Sequence, residues 1–393
     1  MNKTRRLLIV IFIHLFVCIF LCVPTQITAW AQENDGQEKL NDSILEQIGE
    51  LDLEGLEKYI RSLGAFSDES IADRLISYIK GDGFSYEDLG KEMTQLLFSK
   101  IQEVLPSFAC IAAIAILSGI ISTLKSGTAV KTSADMIYFV SFTAALIPLI
   151  AVLTECFSKT LGCVGSMQTQ MQLIFPIMLT LMAASGGTSS VQIAKPAVAF
   201  FSQNIVSLVS SVVLPFTVTI IAFSIAGSLS KELKITKFTA FFKSINKWVI
   251  GICVSVFGLF FTLYGVTSST YDGIVRRAAK YAIGSGIPIV GGFLSGGFDL
   301  AVAGSVLIKN SLGSLSIFLM ATVLFEPLVL LIATNLLLRF TSAITQPFGD
   351  SRISNFLSET AENMNYCTAS LLFTAFMYFL SIIILLVSTE ALL

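Results

Sequence analysis

Long apolar runs separated by short charged stretches fill the chain from Leu105 to its end, recurring at about 105–124, 136–154, 205–229, 248–268, 314–338 and 368–388. As helices, all of them reach across a hydrocarbon layer of about 30 Å, which takes roughly 20 residues at 1.5 Å each. Two further apolar segments, 172–186 and 285–308, are shorter or interrupted by glycine. Residues 32–104 follow a different pattern. Leu40, Ile44, Ile48 and Leu51, then Leu56, Tyr59, Ile60 and Leu63, recur at three- and four-residue spacing. This predicts an amphipathic helix with Glu46, Glu50, Glu54 and Glu57 on its wet faces. A second short helix is expected from Ser67 to the Gly81-Asp82-Gly83 break. A third, from about Ser85, carries Leu89, Met93, Leu96, Leu97, Ile101 and Val104 towards the first span.

At the N-terminus, Lys3, Arg5 and Arg6 precede an apolar run from Leu7 to Val23, and Ala29 and Ala31 form an A-x-A cleavage signature. Residues 1–31 are therefore expected to be a secretory signal peptide, which would place residues 32–104 outside the cytoplasm. The fold class that follows is all-α, a polytopic integral membrane helical bundle with a short helical extracytoplasmic N-terminal region.

The membrane block, 105–393, contains a candidate internal repeat. An offset of 112 residues maps Lys131 onto Lys243, Met136 onto Trp248, Pro176-Ile177 onto Pro288-Ile289 and Pro215 onto Pro327, giving units 131–230 and 243–342. Repeated halves of this kind occur in transporter folds. Lysine and arginine in short loops set the orientation. Lys125 and Lys131, the loop 230–247 with five lysines, and Arg339 and Arg352 all fall on the cytoplasmic side if 172–186 and 285–308 are re-entrant, giving six spans plus two re-entrant segments. If those segments cross, there are eight spans and the five-lysine loop faces out.

Composition narrows the function. Hydrophobic residues make up 54% of the 393 and charged residues 13%, too few to cover a water-soluble fold of this size. The region 32–104 holds 17 acidic and 7 basic residues, net −10, whereas 105–393 is net +5, with no basic stripe suited to nucleic acid. The single histidine, His14, lies in the segment expected to be removed, which leaves no histidine for a general base, a catalytic triad or a metal site. The seven cysteines form no CxxC and read as free apolar thiols. No Walker loop is present, and no cofactor is implied.

The candidate pore or packing residues sit in the least regular apolar sequence. Seven glycines lie between Gly284 and Gly304, among them Gly291, Gly292, Gly296 and Gly297, and Gly186-Gly187 mark the matching stretch of the first unit. Small residues at this spacing either let helices approach closely or mark irregular backbone beside a polar path. Asp299, Lys309 and Glu326 are ionisable groups within or beside apolar runs, where a charge costs at least about 2.5 kcal/mol at the membrane centre. Glu326, followed by Pro327, is the strongest of the three; Asp299 and Lys309 are also readable as an interfacial pair. On residues alone, a subunit of a conduit, an autonomous secondary transporter and a non-conducting scaffold all remain open.

Lys280-Tyr281-Ala282, Ile287-Pro288-Ile289-Val290-Gly291-Gly292, Leu294-Ser295, Asp299 and Lys309-Asn310, together with Ala184-Ser185-Gly186-Gly187 and Lys195-Pro196-Ala197, resemble the signature blocks of the stage III sporulation protein AE family. The sequence departs from that pattern at Gly296-Gly297. The resemblance implies a non-enzymatic, multi-pass subunit of the SpoIIIA complex in the mother-cell membrane around the forespore. It further implies as partners the ATPase-like AA subunit, the ring-forming AG and AH subunits, and SpoIIQ of the forespore membrane. The family pattern carries no catalytic residue onto this chain.

Overall fold

A computed structural model describes residues 44–49, 51, 53–62, 75, 86–125, 131–185, 188–229, 235–260, 291–348 and 351–390. The expected signal peptide, the second leader helix apart from Leu75, Gly186, Gly187 and the stretch 261–290 lie outside them. The described residues are almost entirely helical, with no strand among them.

We label the helices α1 (Glu54–Ser62), α2 (Tyr86–Lys125), α3 (Lys131–Ala184), α4 (188–229), α5 (Thr236–Phe260), α6 (Gly291–Phe348) and α7 (Ser351–Glu390). Six of them, α2 to α7, are long and apolar enough to cross a membrane, as the hydropathy pattern predicts. The chain is thus an all-α multi-pass membrane protein. Several helices exceed a crossing by a wide margin. The 54 residues of α3 extend about 80 Å and the 58 of α6 about 87 Å.

That length corrects the expectation of separate re-entrant segments. Residues 172–184 are the last turns of α3, unbroken from Lys131, and residues 291–308 are the first turns of α6, unbroken to Phe348. Pro148, Pro176 and Pro327 lie inside these helices without ending them, as prolines do in membrane helices packed against neighbours. In α4, two π-helical turns, Phe201–Ile205 and Val209–Val213, interrupt the α-helix just before Pro215.

The amphipathic leader is also corrected in detail. Its apolar spacing is as expected, since Ile44, Ile48, Leu56 and Ile60 are all buried. It is, however, two helical pieces, 44–49 and α1, with a turn between them in which Leu51 N–H donates to Ile48 O. Its apolar face joins the core of the bundle itself, a single continuous cluster with α2, α3, α6 and α7. α6 runs through the middle, packed against α2, α3 and α7.

Candidate functional site

Two layers of charge mark levels along the bundle. In the first, Lys159 of α3 donates to Glu326 of α6 at 2.9 Å, and Lys100 of α2 reaches the same carboxylate oxygen at 3.4 Å and Glu103 at 2.8 Å. Glu326 is 42% exposed, Lys159 44% and Lys100 15%, so one carboxylate on the flank of the bundle ties three helices together. In the second layer, Arg352 of α7 lies 3.1 Å from Asp135 of α3 and stacks its guanidinium over the Tyr138 ring at 3.6 Å. The two layers are 24 residues apart on α3, about 36 Å.

Phe98 of α2 and Phe200 and Leu208 of α4 stay exposed beyond the Lys159 level, but on α3 the exposed side chains change character at these layers. Between them α2 exposes Leu105, Leu117 and Ile120, α3 exposes Met136, Phe139, Val140, Ile147 and Ile150, and α6 exposes Ile332, Leu336, Phe340 and Ile344. Beyond Lys159 and Leu161, the exposed face of α3 becomes Gly162, Gly165, Thr169, Gln172, Pro176 and Thr180. Large apolar surface on one side of a charged layer and small or polar surface on the other is the signature of a membrane–water boundary.

The leader fixes which side is wet. Tyr59 donates to Ser166 O and accepts from Gln170 Nε2 at 3.1 Å, Gly55 packs under Leu173, and Ser305 donates to Gln47 Oε1 at 2.7 Å. The opposite face of α1 carries the ion pairs Glu54–Lys58 and Glu57–Arg61, which are open to solvent. Four charged side chains of this kind do not face hydrocarbon, so residues 166–173 of α3 stand at an aqueous level. Burial raises the Tyr59 phenol above its ordinary value, against the opposing effect of its bonds to Gln170 and Ser166.

Within the band between the layers, α7 is the exception. Its exposed positions from Ser351 to Ala369 are Ser351, Asn355, Glu362, Asn365 and Ala369. At 100° per residue they fall on one narrow stripe, about 27 Å long, without a large apolar side chain. The stripe lies level with the lipid-type residues of α6: Asn335 donates to Ala361 O at 2.7 Å and to Asn365, between Ile332 and Leu336, and Arg339 donates to Asn335 Oδ1 at 2.8 Å. Beside it, Glu359 accepts from Lys243 at 3.1 Å and from Ser224 at 3.3 Å, and Asn363 donates to Ser224 Oγ. This polar system joins α4, α5, α6 and α7.

Of the sequence candidates, Lys309 is fully buried and donates to Leu386 O at 2.7 Å, near the negative end of α7. Asp299 sits ten residues earlier on α6, about 15 Å along its axis. Gly291, Gly292, Gly296, Gly297 and Asp299 occupy the first turns of α6. Gly186 and Gly187 fall in the α3–α4 connection, outside the described residues. The α7 stripe escaped the sequence reading. Its signal was present as Asn355, Glu359, Glu362 and Asn365 ahead of the last apolar run, but it resembled an ordinary polar flank.

A family model described as stage III sporulation protein AE matches residues 71–389. The chain belongs to that family. Among curated proteins, the stage III sporulation protein AE of Bacillus subtilis (strain 168) is 22% identical over 323 residues, covering 82% of this chain and 81% of that one. No solved structure matches. The family match covers α2 to α7 and leaves α1 outside it, although α1 shares their core. As a family member the chain is a sporulation membrane protein.

Proposed function

We propose that the protein is the membrane-embedded, non-catalytic subunit of the mother cell to forespore channel, acting within the SpoIIIA complex and with SpoIIQ across the intermembrane space. Family membership supports the setting. The observation that carries the channel reading is the polar stripe of α7, Asn355, Glu362 and Asn365, lying at the level where α2, α3 and α6 expose Leu, Ile and Phe. Polar and ionisable groups at membrane depth face a cavity, water or a protein neighbour, and by default they mark a pathway. On this reading the stripe faces the conduit side of the assembly, and the apolar faces of α2 and α3 meet lipid. The Lys100–Lys159–Glu326 layer lies at the boundary facing the forespore.

The test is substitution on the stripe in a sporulating strain. Glu362→Leu and Asn365→Leu should lower late forespore gene expression at least about tenfold with the protein still at its normal level in the membrane, while Ile147→Val on the lipid face should leave it unchanged. Full forespore expression with both polar groups replaced would remove the conduit and leave a scaffold.

A further inference from the structure

On the aqueous side of the Lys159 layer, α3 and α4 together line a cleft of about 650 Å³. That size falls within the roughly 300–1,000 Å³ of ordinary ligand sites. Phe175, Leu179, Val191 and Val198 supply apolar walls. The floor is polar: Gln172 Nε2 donates to Gln203 Oε1 at 2.6 Å, and just below it Gln168 donates to Ser207 Oγ and to Gln203 O. Two backbone irregularities open onto this place. Pro176, which lines the cleft, has no N–H to return to the carbonyl of Gln172. The π-helical turn Phe201–Ile205 presents Ser202 and Gln203, and such turns recur at functional sites. Lys195 is the one ionisable residue among the described residues that line the cleft, and no carboxylate is among them.

We propose that this cleft is the docking site for an amphipathic helix of a partner protein in the aqueous compartment on the leader side, with apolar side chains against Pro176, Ala183 and Val191 and a carboxylate against Lys195. A groove between two helices, apolar in its walls and charged at its rim, is the usual receptor for such a segment. The level of the cleft decides against lipid. It spans residues 171–183 of α3, alongside and beyond the stretch that the solvated α1 covers, and 12 residues or more past Lys159. The lone lysine decides the sign of the partner's charge. The inference rests on the proposed role in a multi-protein assembly, and adds where a partner binds and by what chemistry.

The experiment uses the full-length chain in sporulating cells, with a photo-crosslinking residue at Ala199 or Thr180 and a control at Ile147. The expected result is one protein adduct, the same from both cleft positions and absent at Ile147. Sequencing should place the cross-link in an amphipathic segment carrying Asp or Glu. Lys195→Glu should reduce its yield at least about fivefold without lowering the amount of chain in the membrane, and a Glu→Lys or Asp→Lys change in the partner segment should restore it. A lipid adduct, a second copy of this chain, a segment without a carboxylate, no adduct, or an adduct indifferent to Lys195→Glu would each overturn the proposal. If the cleft fails while Glu362→Leu still blocks forespore expression, the channel reading stands and only the docking site is lost.

Discussion

Two side chains show how partners lying far apart in sequence give an intramembrane or buried polar group its meaning. A carboxylate inside an apolar run identifies Glu326 from the sequence, yet its partners Lys100 and Lys159 are 226 and 167 residues away, and only the packing of α2, α3 and α6 brings all three together. Lys309 was equally visible, but its acceptor is a backbone oxygen, that of Leu386, which no side-chain pattern announces. Tyr59 yields a pH prediction. Its pKa is raised in the folded state, so the folded chain holds the phenolic proton more tightly than the unfolded chain. The contribution of Tyr59 is therefore complete below about pH 10, its unfolded value, and is lost as pH rises through the elevated folded value. Proteolytic cleavage of the leader, followed in purified full-length protein between pH 8 and 11, should accelerate above pH 10. Tyr59→Phe should flatten that part of the profile, and an unchanged profile would remove Tyr59 as the cause.

At the scale of elements, apolar runs predicted the existence of the six long helices but not their lengths. Residues 172–184 and 302–325 are as apolar as a lipid-facing span, yet their apolar side chains are mostly buried against other helices. Between Val302 and Phe325, Ser314 and Thr322 are the exposed positions. Hydropathy cannot separate lipid contact from core contact, because both environments exclude water. The expectation of re-entrant segments came instead from lysine and arginine in the short loops, which bear on the number of crossings and not on where a helix ends. Close packing of α6 on α7 gives a sharp test. A β-carbon on Gly313 would lie 2.6 Å from a Leu386 methyl, so Gly313→Val should destabilise the bundle by about 1–3 kcal/mol. Leu386→Ala in the same chain should recover part of that loss, as read by thermal unfolding in detergent. If Gly313→Val unfolds at the wild-type temperature, the two helices are not held at this distance.

For the whole molecule, we read the level between the Lys100–Lys159–Glu326 layer and the Asp135–Arg352 layer as the membrane band, from the apolar exposure of α3 there, and the helical part that the leader covers as a projection beyond it. In a cysteine-free background, single cysteines at Thr169 and Thr180 should react with a membrane-impermeant maleimide applied on the leader side. Thr143, exposed between the layers, should not react. Equal labelling of all three would move the boundary and undo the division into band and projection. The sequence by itself determined the all-α class, the presence of six long apolar helices and the unusual standing of Glu326, because helix period, run length and the cost of a lone charge in hydrocarbon are local properties. Tertiary structure alone decided which apolar residues stay exposed and which pack on each other, that the exposed stripe of α7 is polar beside the apolar faces of α6, and that α3 and α4 line a cleft. Each of these depends on what lies on the far side of a helix, and that is set by residues tens to hundreds of positions away.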